Sequence, residues 1–133
     1  YKKNYAKKYY PYLGLEEMNY DPQIDVLVIG SDEVFNCVQN NTNVGFSSDL
    51  FGVNSNAKKI ITYAASFGNT TIDKLKKYKI DNIVSSYIDK IDTISVRDEN
   101  SGSIVRALTG KEPLYNLDPV LIYDYIGKCK EIQ

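Results

Sequence analysis

Residues 25–35 read Asp-Val-Leu-Val-Ile-Gly-Ser-Asp-Glu-Val-Phe, an apolar, β-branched run that stops at a glycine. A run of this kind fits a strand buried on both faces. Gly30 then turns the chain, and Ser31 is placed to cap the free N–H groups of a following helix. Asp32 and Glu33 fall in the first turn of that helix, where its dipole favours negative charge. A buried strand that turns at glycine into a helix begins an α/β crossover unit, and such folds place ligands at that turn. The two carboxylates would repel a phosphate there, so the turn argues against a dinucleotide.

The rest of the chain repeats the alternation. Residues 59–66 read as a second strand ending in Ser66-Phe67-Gly68, and Ile83, Val84, Tyr87, Ile88 and Ile91 fit an amphipathic helix. Residues 93–96 form a third expected strand, followed by Arg97-Asp98. A helix over 101–108 is stopped by Gly110, and residues 114–117 suggest a fourth strand before Asp118-Pro119 breaks the pattern. The order β-α-β-α-β-α-β predicts an α/β fold, a Rossmann-like parallel sheet with helices on both faces. Ahead of it, residues 1–24 divide into a Lys- and Tyr-rich helix over 1–12 and a connector over 14–24. Residues 25–123 make the domain, and 124–133 a linker or tail. The polar stretch 36–56 is long for a loop and is expected to be functional or mobile.

The 133 residues suit one domain, and a net charge of −1 gives no field favouring nucleic acid or an anionic membrane. No apolar run approaches the roughly 18 residues of a membrane span, and no signal peptide is visible. Because the chain begins at Tyr1, it is read as a piece of a longer protein. Cys37 and Cys129 match no metal or redox spacing and suit free thiols of a reduced, cytoplasmic protein. Histidine is absent altogether, which removes Ser-His-Asp and Cys-His chemistry and histidine-bound zinc.

In a parallel sheet, ligands sit beyond the carboxyl ends of the strands. The candidate residues there are Gly30, Ser31 and Asp32, then Ser66 and Gly68, then Arg97. The planar fork of Arg97 suits a carboxylate or phosphate, or an internal ion pair with Asp32, Asp98 or Glu99. Asp32 could accept sugar hydroxyls, act as a base, or be a helix-terminus charge without a ligand. Ser66 and Gly68 leave room for a ligand near the backbone, or simply make a tight turn. Ser101 reads as an N-cap, Asp118 as a turn acid, and Phe35 as core rather than a stacking platform. No Walker A, G-x-G-x-x-G or metal cluster occurs.

Four segments taken in order bear a resemblance. Residues 25–36 resemble the D-x-h-h-h-G-S-D-Q-V-W-N segment of polysaccharide pyruvyl transferase family proteins, and residues 61–68 resemble that family's h-x-Y-A-A-S-F-G. Residues 94–101 are similar to its I-S-V-R-E/D-x-x-S, and residues 117–121 to its L-D-P-T-L. The resemblance implies the N-terminal half of a GT-B-like protein whose active site lies between two Rossmann-like halves. It implies transfer of a pyruvyl group from phosphoenolpyruvate, a donor substrate rather than a cofactor, to a saccharide acceptor of a cell-surface polysaccharide in bacteria. A lipid-linked acceptor, with the protein at the inner face of the membrane, is compatible with what the resemblance implies. It also makes Arg97 a candidate for an anionic group, with Gly30, Ser31 and Asp32 lining the cleft. Histidine and further arginine for the donor would come from a C-terminal domain outside this chain, so these residues alone are expected to be inactive. Glu33 stands where the family has Gln, and Phe35 where it has Trp. A glycosyltransferase with a nucleotide-sugar donor and a non-catalytic sugar-binding module are the alternative readings.

Overall fold

A computed structural model describes residues 23–39 and 46–124, together with Lys8 and Gly127. The expected tyrosine-lined helix over 1–12, and most of the connector and tail, lie outside the described residues. Strand β1 (Val26–Gly30) pairs in parallel with β2 (Lys59–Tyr63), with Val28 beside Ile61 and Gly30 beside Tyr63. A second parallel pair joins β3 (Ser95–Val96) to β4 (Leu114–Tyr115). Single parallel bridges, Ile61 to Thr93 and Ala65 to Val96, connect the two pairs. The four strands therefore lie side by side in chain order, an α/β arrangement built from small parallel sheets.

The helices are α1 (Ile72–Lys77), α2 (Asp81–Ile88), α3 (Glu99–Thr109) and α4 (Pro119–Ile122), with a 3-10 turn at Ser48–Phe51. Helix α2 buries Val84 and Ile88, as its 3.6-residue apolar spacing dictates. Helix α1 was not expected from the pattern. It starts where the Thr71 hydroxyl accepts the Lys74 N–H, and it buries one apolar residue, Leu75. Helix α3 begins two residues earlier than expected, because Asp98 rather than Ser101 is its N-cap, and it ends at Gly110 in the left-handed conformation. No described helix is long and apolar enough to cross a membrane.

Helices α1, α2 and α3 pack into one core with the strands. Leu75, Val84, Ile88, Ile104 and Val105 share a single core with Ile29, Ile60 and Val96. Phe35, Phe51 and Phe67 fill its end. Phe35 stacks on Phe51 with ring centroids 4.5 Å apart and tilts against Phe67 at 5.3 Å. Each of the larger side chains contributes about 1.5–3 kcal/mol by leaving water. Within the described part of the 36–56 stretch, Phe51 is 1% exposed and belongs to this core.

Two expectations are corrected here. Strand β1 is not buried on both faces. Strand residues alternate, so Leu27 and Ile29 face the core while Val26 and Val28 face away, 45% and 56% exposed. Among the described residues, the buried apolar side chains of α1, α2 and α3 belong to one core cluster. Nor does a helix follow Gly30. The chain spends its hydrogen-bonding groups across the sheet edge instead, with the Phe35 N–H donating to the Ser66 carbonyl and the Ser66 N–H to the Asp32 carbonyl. Residues 31–39 are bends and turns, and a cis peptide joins Gly30 to Ser31.

Gly30 has φ +140°, and a Cβ built there would lie 2.0 Å from the Tyr63 carbonyl oxygen. Gly110 has φ +70° with nothing within 4 Å of its own Cβ position. Gly110→Ala should therefore cost only the left-handed strain, about 1–2 kcal/mol. Gly30→Ala should cost at least twice that, because backbone must move. Urea unfolding of the two variants checks the order, and equal losses would contradict the close approach.

Candidate functional site

The carboxyl ends of β1, β2 and β3 bring a set of polar side chains to one edge, and Asp118 at the start of α4 joins them. Arg97 follows β3 directly, and its Nη1 donates to Asp118 Oδ2 at 2.7 Å. Its Nη2 lies 3.6 Å from Asp32 Oδ1. The Arg97 side chain is 26% exposed and that of Asp118 22%, whereas that of Asp32 is 88% exposed. The ion pair is thus partly withdrawn from water on the Asp118 side and open on the Asp32 side. Asp118 also caps α4, its Oδ1 accepting the Val120 N–H at 3.0 Å, with Pro119 at the first helical position. That N–H holds the Asp118 carboxyl below its ordinary value despite opposing burial. Arg97 and the Ser31 hydroxyl add to the effect.

Asp98 is bound more completely. Burial pushes its carboxyl up, but the Ser101 N–H, the Ser66 and Ser101 hydroxyls and the neighbouring Arg97 charge outweigh it. The group ends below the ordinary carboxylate value. Its oxygens accept from Ser66 Oγ at 2.7 Å and the Ser101 N–H at 2.7 Å. Ser66 Oγ in turn accepts the Gly68 N–H at 2.9 Å, and Ser101 Oγ accepts the Phe67 N–H at 2.9 Å.

The candidate residues therefore divide. Ser31, Asp32 and Arg97 come together around Asp118. Gly30 stands beside them because only glycine fits against the Tyr63 carbonyl. Ser66 and Gly68 are taken up internally. The Ser66 hydroxyl is bonded on both sides, and Gly68 at φ +54° packs so closely that a Cβ would lie 2.3 Å from the Glu33 carboxylate. Glu33 itself accepts from Asn36 Nδ2 at 2.9 Å, which brings the Gln-to-Glu departure into the turn rather than the open edge. Phe35 lies in the core, as expected, although on no helix. Cys37 is a thiol pushed up to about 12 by burial and hence unreactive. Among the described residues, no group of three or more metal-ligating side chains converges.

Sequence reasoning missed two contributors. Asp118 was read as a turn acid, although Asp followed by Pro is also the signature of an N-cap with proline at the first helical position. Tyr63 was passed over as part of a strand. Its position out of phase with Ile60 and Thr62 places it on the second face, where it lines a cavity of about 340 Å³ with Pro119, Ile122 and Tyr123.

In parallel α/β domains the carboxyl ends of the strands are where ligands are usually placed, and the ionic and polar groups of this chain gather at that edge. The sequence model of the polysaccharide pyruvyl transferase family matches residues 1–130, and the chain belongs to that family. No curated protein and no solved structure matches it.

The pKa values of Asp98 and Asp118 are depressed in the folded state. Their contribution to stability is complete above the ordinary carboxylate range and is lost as pH falls below it through the folded-state values. Asp98→Asn keeps a competent N-cap but removes the titration. Thermal melts followed by circular dichroism should show the wild type losing more stability between pH 5 and 3 than this variant does. Parallel acid limbs would contradict the assignment.

Proposed function

We propose that this chain is the acceptor-side half of a Rossmann-like, GT-B-like pyruvyl transferase that joins phosphoenolpyruvate to a saccharide of a cell-surface polysaccharide. One observation carries the assignment of sides. Arg97, the cation at the sheet edge, is already paired with Asp118 and Asp32, and Asp98 stands beside it. Among the described residues, three carboxylates stand against one guanidinium there, an excess of negative charge. Phosphoenolpyruvate bears a phosphate and a carboxylate, and it would be repelled there. A saccharide is uncharged in its hydroxyl groups and offers donors that carboxylates accept.

A ketal at C2 of the pyruvyl group forms two C–O bonds to two acceptor hydroxyls. Two protons leave those hydroxyls: one adds to C3 as the C2=C3 double bond is consumed, and the other is carried off by inorganic phosphate as the C2–O bond to it breaks. Asp32 is the carboxylate suited to meet the hydroxyls. It is 88% exposed and only loosely held by Arg97, whereas Asp98 and Asp118 each accept at least two hydrogen bonds. Asp32 would orient an acceptor hydroxyl and take its proton. The donor's anionic groups would be met by cations in a second domain.

The test uses the intact protein with phosphoenolpyruvate and an acceptor oligosaccharide, and follows the ketal methyl signal by NMR. Asp32→Asn should lower kcat about 100-fold, the lower end of what general-base loss costs, with the KM for phosphoenolpyruvate unchanged. A KM for phosphoenolpyruvate raised tenfold would place the donor at this edge instead and overturn the assignment of sides.

A further inference from the structure

We infer that the cavity between Tyr63 and α4 is a stacking subsite for one pyranose ring of the saccharide, with Arg97 acting as the residue that positions its α4 wall. The inference rests on the saccharide reading above and deepens it. The cavity is an open hollow of about 340 Å³, a shape that can take one face of a ring and leaves its rim in water. Two of its four lining residues are tyrosines, the others Pro119 and Ile122. Tyrosine offers a flat apolar ring with a hydrogen-bonding tip.

A pyranose has the complementary shape, with C–H groups over its faces and hydroxyls around its rim. The charged groups begin at the margin of the cavity. Asp118 is adjacent in sequence to Pro119, and Arg97 and Asp32 continue from it along the edge. Other occupants match less well. A nucleobase would stack on the tyrosines, but its phosphates would have to lie beside Asp32, Asp98 and Asp118. A purely apolar ligand would leave the neighbouring ionic rim without a role.

The wall of this cavity depends on Arg97. Pro119, Ile122 and Tyr123 all belong to α4 or its C-cap, and the side chains of Val120, Leu121 and Ile122 are 63%, 73% and 59% exposed. A four-residue helix with no buried residue cannot be held by packing. What fixes it is its N-cap, Asp118, which Arg97 grips at 2.7 Å. Arg97 thus acts through the helix and not by touching the sugar.

Saturation-transfer difference NMR on the full 133-residue chain tests this, with methyl β-galactopyranoside, methyl β-glucopyranoside and methyl α-mannopyranoside as probes and cyclohexanol as the apolar control. Saturation should reach the ring C–H protons of at least one glycoside. Binding should weaken about fivefold in Tyr63→Ala and in Tyr123→Ala, and persist in Tyr63→Phe, which keeps the ring. Arg97→Ala should weaken the same glycoside while the amide spectrum of the core stays unchanged. Tyr123 lies on the exposed helix, so that variant and Tyr63→Phe decide the matter even if Tyr63→Ala fails to fold. Absence of transfer to all three glycosides at millimolar concentration would overturn the inference. So would unchanged binding in Tyr123→Ala, or cyclohexanol binding that no glycoside displaces. The outcome is separable from the proposed reaction. Glycoside binding through Tyr63 and Tyr123 without ketal formation would leave the subsite standing and remove the transferase chemistry. Ketal formation with an unaltered acceptor KM in the tyrosine variants would do the reverse.

Discussion

A seam of buried hydroxyls holds the two strand pairs together, and both the sheet and its functional edge depend on it. Between β2 and β3 the backbone makes isolated bridges, with the Thr62 N–H donating to the Thr93 carbonyl and the Ala65 N–H to the Ser95 carbonyl. Side chains supply much of the remainder. Thr62 Oγ1 accepts the Ser95 N–H at 2.7 Å and donates to the Ser95 carbonyl at 2.8 Å. Ser95 Oγ accepts the Ala64 N–H at 3.1 Å and donates to Asn116 Oδ1, reaching the end of β4. Beyond the strands, Ser66, Asp98 and Ser101 continue the same stitch. Such a seam is favourable only when every member is satisfied, because an unpaired buried hydroxyl costs about 1–3 kcal/mol. Among the described residues no buried side-chain nitrogen or oxygen lacks a partner.

The seam also explains why the second face differs from the first. On the core face, Ile29, Ile60 and the helices exclude water. On the other, Val26 and Val28 remain exposed, and Tyr63 ends β2 beside α4. A sheet of parallel strands normally has both faces covered. Here the exposed face ends at the carboxyl edge in aromatic rings and then in charge. That gradient, apolar to ionic over a few residues, suits a ligand that is itself apolar on its faces and polar on its rim.

Much of this was legible before any coordinates. Regular spacing revealed α2, and Gly110 marked the end of α3, because periodicity and a C-terminal glycine are local signals. The run at residues 26–30 revealed β1 but misled on its burial, since composition cannot tell which face will be covered. The absent helix after Gly30 had the same origin. Ser31-Asp32-Glu33 carries every local mark of a helix start, and the competing hydrogen bonds come from Ser66, more than 30 residues away. At the site, the gathering of Asp32 and Arg97 followed from topology. The pairing of Arg97 with Asp118 did not, because Asp118 follows β4, and its side chain's direction depends on the helix it caps.

That pairing decides what kind of residue Arg97 is. At a strand end, an unpaired arginine is an anion receptor. Bracketed by Asp118 on one nitrogen and Asp32 on the other, it is a clamp whose charge is already spent. The arrangement needs the guanidinium in particular, because two nitrogens in a fixed plane reach two carboxylates in different directions, whereas an ammonium is a single point charge on a flexible stem. Removing the clamp would leave Asp32, Asp98 and Asp118 facing one another and release the cap of α4. The positive charge therefore holds negative charge in place, and Asp32 is the carboxylate of this set left open to solvent.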